Sequence, residues 1–302
     1  MNTQTRPNFA SDLRPSHHRA IARARWVAEQ HFVYELSNDA DTILLSMRSH
    51  GPLTTAVMLP DPSGRLSLMQ CRDREEQHAF YSRNRSKRRI SAADISTVVG
   101  SDWYSFVSGS LTHAELSTGA ATHSRFAGIL PITDGEDTIA GELGFGLAES
   151  EVAAMGAQSS ARRRAFMQVQ QQWLAAINSG NLAQLSQLYA ESAQLAERES
   201  PGTAQAACHG RSAIEAYYAG MFQRLGQPVV DVLRKCTEDW YAFAELVWEF
   251  EGAAGGIRRM RTATITSLDP QGRIAFQLGC ATDLQGSDES TEQVRYSIQS
   301  RR

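Results

Sequence analysis

The sequence has few of the residues and patterns that mark the commonest specialised sites. Its four cysteines lie far apart and form no CxxC pair, so neither a zinc site nor a disulfide framework is indicated. No glycine-rich phosphate loop, HExxH motif or GxSxG motif occurs. The absence of these motifs disfavours the familiar metal, nucleotide and serine-hydrolase classes, and we expect that any activity needs no metal and no cofactor.

Long apolar runs and an excess of charge are also absent. No run approaches membrane-spanning length, and residues 1–15 lack the apolar core of a signal peptide. The net charge of −3 gives no electrostatic reason to bind nucleic acid or an anionic membrane. The basic run at residues 83–89 has no interleaved aromatic residues, which favours a solvated loop over a nucleic-acid contact. We therefore expect a cytoplasmic protein with no nucleic-acid or membrane partner.

The chain instead contains an internal sequence repeat. Residues 102–106 recur as residues 239–243, an offset of 137 (239 − 102), and residues 139–144 recur as residues 274–279, an offset of 135 (274 − 139). Four further positions match at the offset of 137, namely Cys71, Arg74, Ala79 and Tyr81 with Cys208, Arg211, Ala216 and Tyr218. The period is that of an ordinary domain, so we interpret the chain as an internal duplication.

The repeats and the composition predict the domain boundaries. We expect a disordered arm at residues 1–19, a first domain at residues 20–147, a linker at residues 148–162, a second domain at residues 163–284 and a flexible tail at residues 285–302. Within each domain the helical patterns come first and the strand patterns follow, which is typical of an α+β domain with helices on one face of an antiparallel sheet.

Local patterns in the second domain support this order. Phe166, Val169, Trp173 and Ile177 form one apolar helix face, Asn181 can cap the next helix, and residues 212–215 form a capping-box pattern. In the first domain Asp39 or Asp41 can cap the second helix. Residues 240–251 alternate with a period of two, which predicts a strand with one apolar and one mixed face.

These segments resemble the nuclear transport factor 2-like superfamily, in particular its ketosteroid isomerase and SnoaL-like branch. The matching positions are residues 173–189, Ala193, Leu195, Glu197, residues 209–211, residues 214–218 and residues 269–274. The resemblance implies two tandem cone-shaped α+β domains. In each, helices would pack on a strongly bent, mainly antiparallel sheet and close a conical pocket.

The resemblance also implies a site in the second domain. The general-base carboxylate of the ketosteroid isomerase pattern falls on Glu197, and its two oxyanion-hole donors fall on Trp173 and Arg261. The sequence departs from the family at both donors, which disfavours steroid isomerisation. Glu197 beside Arg261 better suits a carboxylate that removes a proton or activates water, next to a guanidinium that binds an oxygen. The alternative is a structural ion pair that braces two strands.

Five further residues are candidate substrate contacts, namely Tyr189, His209, Tyr217, Trp248 and Arg259. His209 has an alternative role in the geometry of the turn, and aromatic residues at this spacing are more often part of a core. Alternation places Arg259 on the same strand face as Arg261.

Two functions remain open at the level of sequence. The first is a cofactor-free enzyme of the SnoaL or ketosteroid isomerase type, an isomerase, cyclase, dehydratase or epoxide hydrolase acting on a hydrophobic polyketide- or steroid-like molecule. The second is a non-catalytic ligand-binding or assembly module. In either case we expect an intramolecular pseudo-dimer, and a homodimer remains open.

Alignment of the two copies predicts which one is active. It places Val57 at the position of Glu197 and Phe126 at the position of Arg261. Since neither apolar side chain can transfer a proton, we expect catalysis in the second domain and a structural or shielding role for the first.

Overall fold

The computed structural model describes residues 15–51, 53–60, 66–133, 135–197, 206–251 and 257–283. Residues 1–14 of the predicted arm lie outside the described residues. Its remaining residues, 15–19, belong to the first helix, which begins at Pro15. The predicted tail lies wholly outside the described residues.

The first half of the chain contains three helices and six strands. They are α1 (Pro15–Glu35), α2 (Ala40–Leu44), β1 (Thr55–Pro60), β2 (Leu66–Cys71), α3 (Arg74–Arg85), β3 (Arg88–Gly100), β4 (Tyr104–Glu115), β5 (Ala121–Pro131) and β6 (Leu143–Ala148). The side chain of Asp39 accepts a hydrogen bond from the Thr42 backbone N–H at 2.9 Å and caps α2. Of the two residues predicted to cap this helix, Asp39 is the one that does.

The predicted linker at residues 148–162 is largely helical. Helix α4 (Glu149–Gly156) follows β6 directly, and α5 (Ser159–Ser179) begins three residues after α4 ends. The alanine-rich sequence explains this, because alanine has the highest helix propensity. None of the described helices combines the length and the apolar character needed to cross a membrane.

The second half continues with the same kind of elements. They are α6 (Leu182–Gln187), β7 (Tyr189–Glu197), β8 (Ala206–His209), α7 (Arg211–Leu225), β9 (Pro228–Thr237), β10 (Ala242–Glu251), β11 (Ile257–Leu268) and β12 (Ile274–Asp283). Asn181 caps α6 as predicted, accepting from the Gln184 N–H at 3.0 Å. The predicted capping box at residues 212–215 is wrong, because α7 already begins at Arg211 after Gly210, whose φ of 87° favours glycine.

The two halves have the same strand order. The first sheet is ordered β2-β1-β6-β5-β4-β3 and the second β8-β7-β12-β11-β10-β9. In each sheet one pair is parallel, β1 with β6 and β7 with β12, and the others are antiparallel. The chain is therefore α+β, with two tandem cone-like units, as the sequence predicted.

The two sheets pack face to face, and we call this contact the sheet interface. The rings of Phe106 and Phe243 stack with centroids 4.3 Å apart. Phe145 meets Phe276 edge to face at 4.6 Å. Strand β10 is therefore covered on both faces, by the helices of its own half and by the other sheet. The second face of residues 240–251, predicted as mixed, is consequently buried as well.

The sheet interface has approximate two-fold character. The Tyr104 hydroxyl donates to Glu245 Oε2 at 3.0 Å, and the Tyr241 hydroxyl donates to Ser108 Oγ at 3.1 Å. Both the two tyrosines and the two acceptors are separated by 137 residues (241 − 104 and 245 − 108). Equivalent positions thus meet reciprocally, as they do across an isologous interface.

Candidate functional site

In the second half, Glu197 ends β7 and is only partly exposed. Its Oε1 accepts a hydrogen bond from Gln277 Nε2, and its Oε2 accepts one from the Tyr217 hydroxyl at 3.5 Å. The glutamine was not predicted from the sequence. Its position on β12, the strand paired in parallel with β7, places its amide beside the carboxylate.

Gln277 joins Glu197 to a buried aromatic network. Trp173 Nε1 donates to the Tyr189 hydroxyl at 3.0 Å, and that hydroxyl donates to Gln277 Oε1 at 2.8 Å. Gln277 Nε2 also donates to the Tyr218 hydroxyl at 3.0 Å. Burial, reinforced by the charge of Glu197, raises the pKa of Tyr189 and of Tyr218, so both hydroxyls are neutral.

This network leaves little open space. A cavity of about 40 Å³ lies beside Phe166 and Trp173. A second cavity, of about 10 Å³, lies among Glu197, Tyr217 and Trp248. Since a single water needs roughly 10–15 Å³ of such volume, the space beside Glu197 holds about one water and no polycyclic molecule.

Arg261 does not face Glu197. Its side chain lies in the sheet interface, where Nη2 donates to Glu245 Oε1 at 2.6 Å and to Ser101 Oγ at 2.7 Å. Its strand neighbours Met260 and Thr262 line the cavity of Glu197 instead. The expectation that Arg261 and Glu197 share a pocket is therefore wrong, because successive strand residues point to opposite faces.

The same alternation removes Arg259 from the pocket, and His209 also lies outside it. Arg259 donates to Glu249 Oε1 at 2.5 Å on the face that Arg261 occupies. His209 is exposed at the end of β8. Of the predicted contacts, Trp173, Tyr189, Tyr217 and Trp248 do gather around Glu197, but mainly as packed side chains.

The large cavity is in the first half. It has a volume of about 400 Å³ and lies between α1 and the inner face of the first sheet; we call it the first-half cavity. Much of its wall is apolar, formed by Phe32, Val57, Leu59, Val107, Leu111, Phe126 and Leu130. A space of this size is in the range of sites for small organic molecules.

Strand register explains why this half is open and the other is filled. Phe126 pairs with Gly146 and Thr262 with Ala281, so Phe126 is equivalent to Thr262 and not, as the alignment of the two copies predicted, to Arg261. In the same register Leu111 of the cavity wall is equivalent to Trp248. The larger side chain of Trp248 on β10 thus fills, in the second half, the space that stays open in the first half.

The buried end of the first-half cavity carries ionisable groups, which we call the polar cluster: His31, Glu35, Tyr81, Arg85 and Glu142. His31 Nε2 lies 2.7 Å from Glu142 Oε1, and its Nδ1 lies 2.7 Å from Ser46 Oγ. The Tyr81 hydroxyl donates to Glu142, and Arg85 forms an ion pair with Glu35. The first half therefore has ionisable groups that its alignment with the second half did not indicate.

Hydrogen bonding fixes the proton on one nitrogen of His31. The Ser46 hydroxyl gives its only hydrogen to the Ile43 carbonyl at 2.7 Å, so it must accept the Nδ1–H of His31. Nε2 is then the nitrogen that faces Glu142 Oε1. Burial raises the pKa of the Glu142 carboxyl, but the charge and hydrogen bond of His31, with Tyr81 and Arg85, hold it below its usual range. Glu142 is therefore a carboxylate at neutral pH.

Ligand atoms of His31, Glu35 and Glu142 lie within 4.8 Å of one another, close enough to share a metal ion. Both carboxylates, however, already have a partner, Arg85 for Glu35 and His31 for Glu142. A metal would have to compete with these partners, so the donor set fits a proton-transfer cluster better than a metal centre.

The polar cluster has a neutral counterpart in the second half. Glu142 is equivalent to Gln277 by the offset of 135 (277 − 142), and Tyr81 is equivalent to Tyr218 by the offset of 137 (218 − 81). The caps Asp39 and Asn181 align α1 with α5, which places His31 at the position of Trp173. The repeat itself could have revealed the cluster, had the ionisable residues of the first copy been compared with their matches.

Each half of the chain is an α+β unit with a cone-like sheet, and the first has a large pocket beside its helices. Residues 170–277 match the SnoaL-like domain family. The match lies within the second half of the chain, which is therefore similar to SnoaL-like domains. No curated protein sequence matches the chain.

Three solved structures each match about two fifths of the chain. A Catenulispora acidiphila protein with a ketosteroid isomerase-like fold, in complex with trimethylamine, is 16% identical over 37% of this chain and 82% of that chain, with a TM-score of 0.33. The epoxide hydrolase/cyclase-like enzyme SalBIII of salinomycin pyran-ring formation is 12% identical over 40% and 92%, with a TM-score of 0.34. A Mycobacterium tuberculosis protein in complex with estradiol-17β-hemisuccinate is 13% identical over 37% and 90%, with a TM-score of 0.33.

Proposed function

We propose that the protein is a cofactor-free small-molecule enzyme that works by carboxylate acid/base catalysis in the first-half cavity. One observation supports this most strongly: an apolar cavity of about 400 Å³ ends on the buried pair His31–Glu142. A hydrophobic substrate would fill the apolar part and place an acidic C–H or a water at the pair. Isomerisation, cyclisation, dehydration and epoxide opening all need such a proton transfer.

The two members of the pair have distinct roles in this proposal. Among the described residues, both hydrogen-bonding contacts of the Glu142 carboxylate are made through Oε1, from His31 and Tyr81, so Oε2 is the oxygen that meets a bound molecule. Glu142 removes the proton, and His31, through Nε2, holds the carboxylate in place before the transfer. Ser46 and Tyr81 hold the pair in place.

The test uses 5-nitrobenzisoxazole, a neutral apolar molecule that reports proton removal by a carboxylate. The base takes the C–H proton, the N–O bond breaks, and the nitrile and a coloured phenolate form. Glu142→Gln keeps the shape and removes the base, so it should lower kcat/KM by roughly 10²-fold or more. Glu197→Gln is the matched variant of the second half and should change kcat/KM by less than about threefold.

Other outcomes would redirect the proposal. If Glu197→Gln abolished turnover and Glu142→Gln did not, the site would lie in the second half, as the sequence predicted. If the probe bound but neither variant changed its turnover, the binding-module alternative would be favoured. Unfolding by urea must be measured for each variant, so that a loss of folded protein is not mistaken for a loss of chemistry.

A further inference from the structure

A second histidine in the first-half cavity has no role in the proposed proton transfer. His113 on β4 lines the cavity and is only 6% exposed. Its Nε2 lies 3.1 Å from Ser124 Oγ. Its Nδ1 is buried and has no hydrogen-bond partner among the described residues. Because a buried polar atom without a partner is costly, this nitrogen would gain a hydrogen bond from a bound molecule that reached it through a small movement of the ring.

The charge around His113 indicates what kind of group it would meet. Burial, together with the charges of Arg88 and Arg85, lowers the pKa of His113 to about 4, so the ring is neutral at physiological pH. A neutral imidazole offers either an N–H or a lone pair at Nδ1, depending on the direction of the bond to Ser124. A hydroxyl group can satisfy both forms, because it donates and accepts.

The rest of the cavity disfavours a charged ligand. Glu35 is paired with Arg85, Glu142 is paired with His31, and Arg88 lies opposite Glu115 in the register of β3 and β4. The cavity wall therefore carries groups of both signs of charge, Arg88 and Glu115 among them. An anionic or cationic molecule would lose its hydration and would meet groups of its own sign as well as of the opposite sign.

We propose that His113 selects the ligand by hydrogen-bonding through Nδ1 to a hydroxyl group of an uncharged, largely apolar molecule in the first-half cavity. The inference rests on the proposed function for the location of the site. It adds the class of the ligand and a residue that determines specificity.

The experiment compares 2-naphthol, naphthalene and 2-naphthoate, which share one ring system and differ in a single group. Binding is followed by fluorescence titration at neutral pH. The wild-type protein should bind 2-naphthol about tenfold more tightly than naphthalene, the gain of roughly one hydrogen bond. It should bind 2-naphthoate more weakly than 2-naphthol.

His113→Phe should abolish the preference for 2-naphthol and keep naphthalene affinity within about threefold, because it removes the polar atom and keeps an aromatic ring. His113→Asn, which keeps a donor and an acceptor, should restore part of the preference. His50→Phe replaces an exposed histidine elsewhere in the first half and serves as the control.

Two results would overturn the inference in different ways. Equal binding of naphthol and naphthalene, or an unchanged preference in both His113 variants, would exclude the role of His113 and leave the cavity proposal intact. Failure of the wild-type protein to bind any of the three probes would overturn this inference together with the proposed function.

Discussion

Individual charged residues in this protein take their roles from the face of the strand on which they lie. Glu245 is completely buried in the sheet interface and contacts Arg261, Arg234 and Tyr104. Arg261 and Glu245 therefore join the two halves. Arg261 was predicted to be a cation in the pocket and instead pairs with Glu245 in the interface. The difference corresponds to a shift of one residue along the strand, which exchanges the two faces of the sheet.

Replacement of Arg261 tests this structural role. Arg261→Met leaves the Glu245 carboxylate buried with one cationic partner fewer, and should lower the free energy of unfolding by roughly 3–5 kcal/mol. Arg258→Met on the same strand removes an exposed ion pair with Asp283 and should cost less than about 1 kcal/mol. Urea denaturation compares the two variants. Equal losses would contradict the interface role.

The pH dependence of stability tests the environment of His113. Its folded-state pKa of about 4 lies below the ordinary value of 6.5, so between these values the unfolded chain binds a proton that the folded protein does not. Stability contributed by the neutral ring is present above pH 6.5 and is lost as the pH falls towards 4. Glu142, whose pKa is also depressed, adds a further loss below its ordinary value of 4.5.

The measurement is the free energy of unfolding at pH 7 and at pH 5, above the range in which carboxylates titrate strongly. His113→Asn should reduce the difference between the two values, because asparagine does not titrate. His50→Asn, at an exposed position, should leave the difference as in the wild-type protein. A wild-type protein equally stable at both pH values would contradict the buried, neutral state of His113.

At the scale of helices and strands, the sequence predicted the fold well because the fold depends on periodic patterns. The stripe from Phe166 to Ile177 does lie on the buried face of α5, and Asn181 does cap α6. Residues 148–162 were predicted to be a linker that becomes the start of a helix, and the alanines in it also form a separate helix, α4. The face of a strand on which each side chain lies was harder to predict, since a misalignment of one residue assigns every side chain to the opposite face.

The site was harder to predict than the fold for a physical reason. His31 belongs to α1 and Glu142 precedes β6, so only the closure of helix onto sheet brings them together. Neither residue lies at the position where the resembling family carries its general base. That position is Val57 in the first half, which does line the cavity and is apolar, as the alignment stated.

The cavity of the first half should close when β4 is given the side chain that fills the second half. Leu111→Trp places at the cavity wall the residue found at the equivalent position 248, and should weaken naphthalene binding by roughly tenfold or more, since the apolar space is lost. The free energy of unfolding of the Leu111→Trp variant should change by at most about 1–3 kcal/mol, the usual cost of added volume.

The matched control is Leu116→Trp, because Leu116 is exposed after the end of β4. It adds the same ring without entering the cavity and should leave naphthalene affinity unchanged. Unchanged affinity in Leu111→Trp as well would show that the probe binds elsewhere.

For the whole molecule, the sheet interface makes each half depend on the other. Phe243→Ala removes one of two stacked rings at its centre and should lower the free energy of unfolding by roughly 3–5 kcal/mol. Both halves should unfold in one transition, because the interface buries a face of each sheet. Phe222→Ala, at a partly buried position on α7, is the control and should cost less.

Calorimetry and urea titration followed by two probes test this coupling. Two separate transitions in the wild-type protein, or a loss in Phe243→Ala no larger than that in Phe222→Ala, would mean that the halves are independent units that merely touch.

The reciprocal contacts of Tyr104 and Tyr241 have a consequence for how this molecule could diversify. In a dimer of two identical chains, every substitution occurs twice, so a buried carboxylate at the position of Glu245 would need cationic partners at two places, and a tryptophan at the position of Trp248 would close both cavities. A single chain that contains both units is free of this constraint. One unit can become a filled, rigid support while the other keeps an open cavity and its acidic and basic groups.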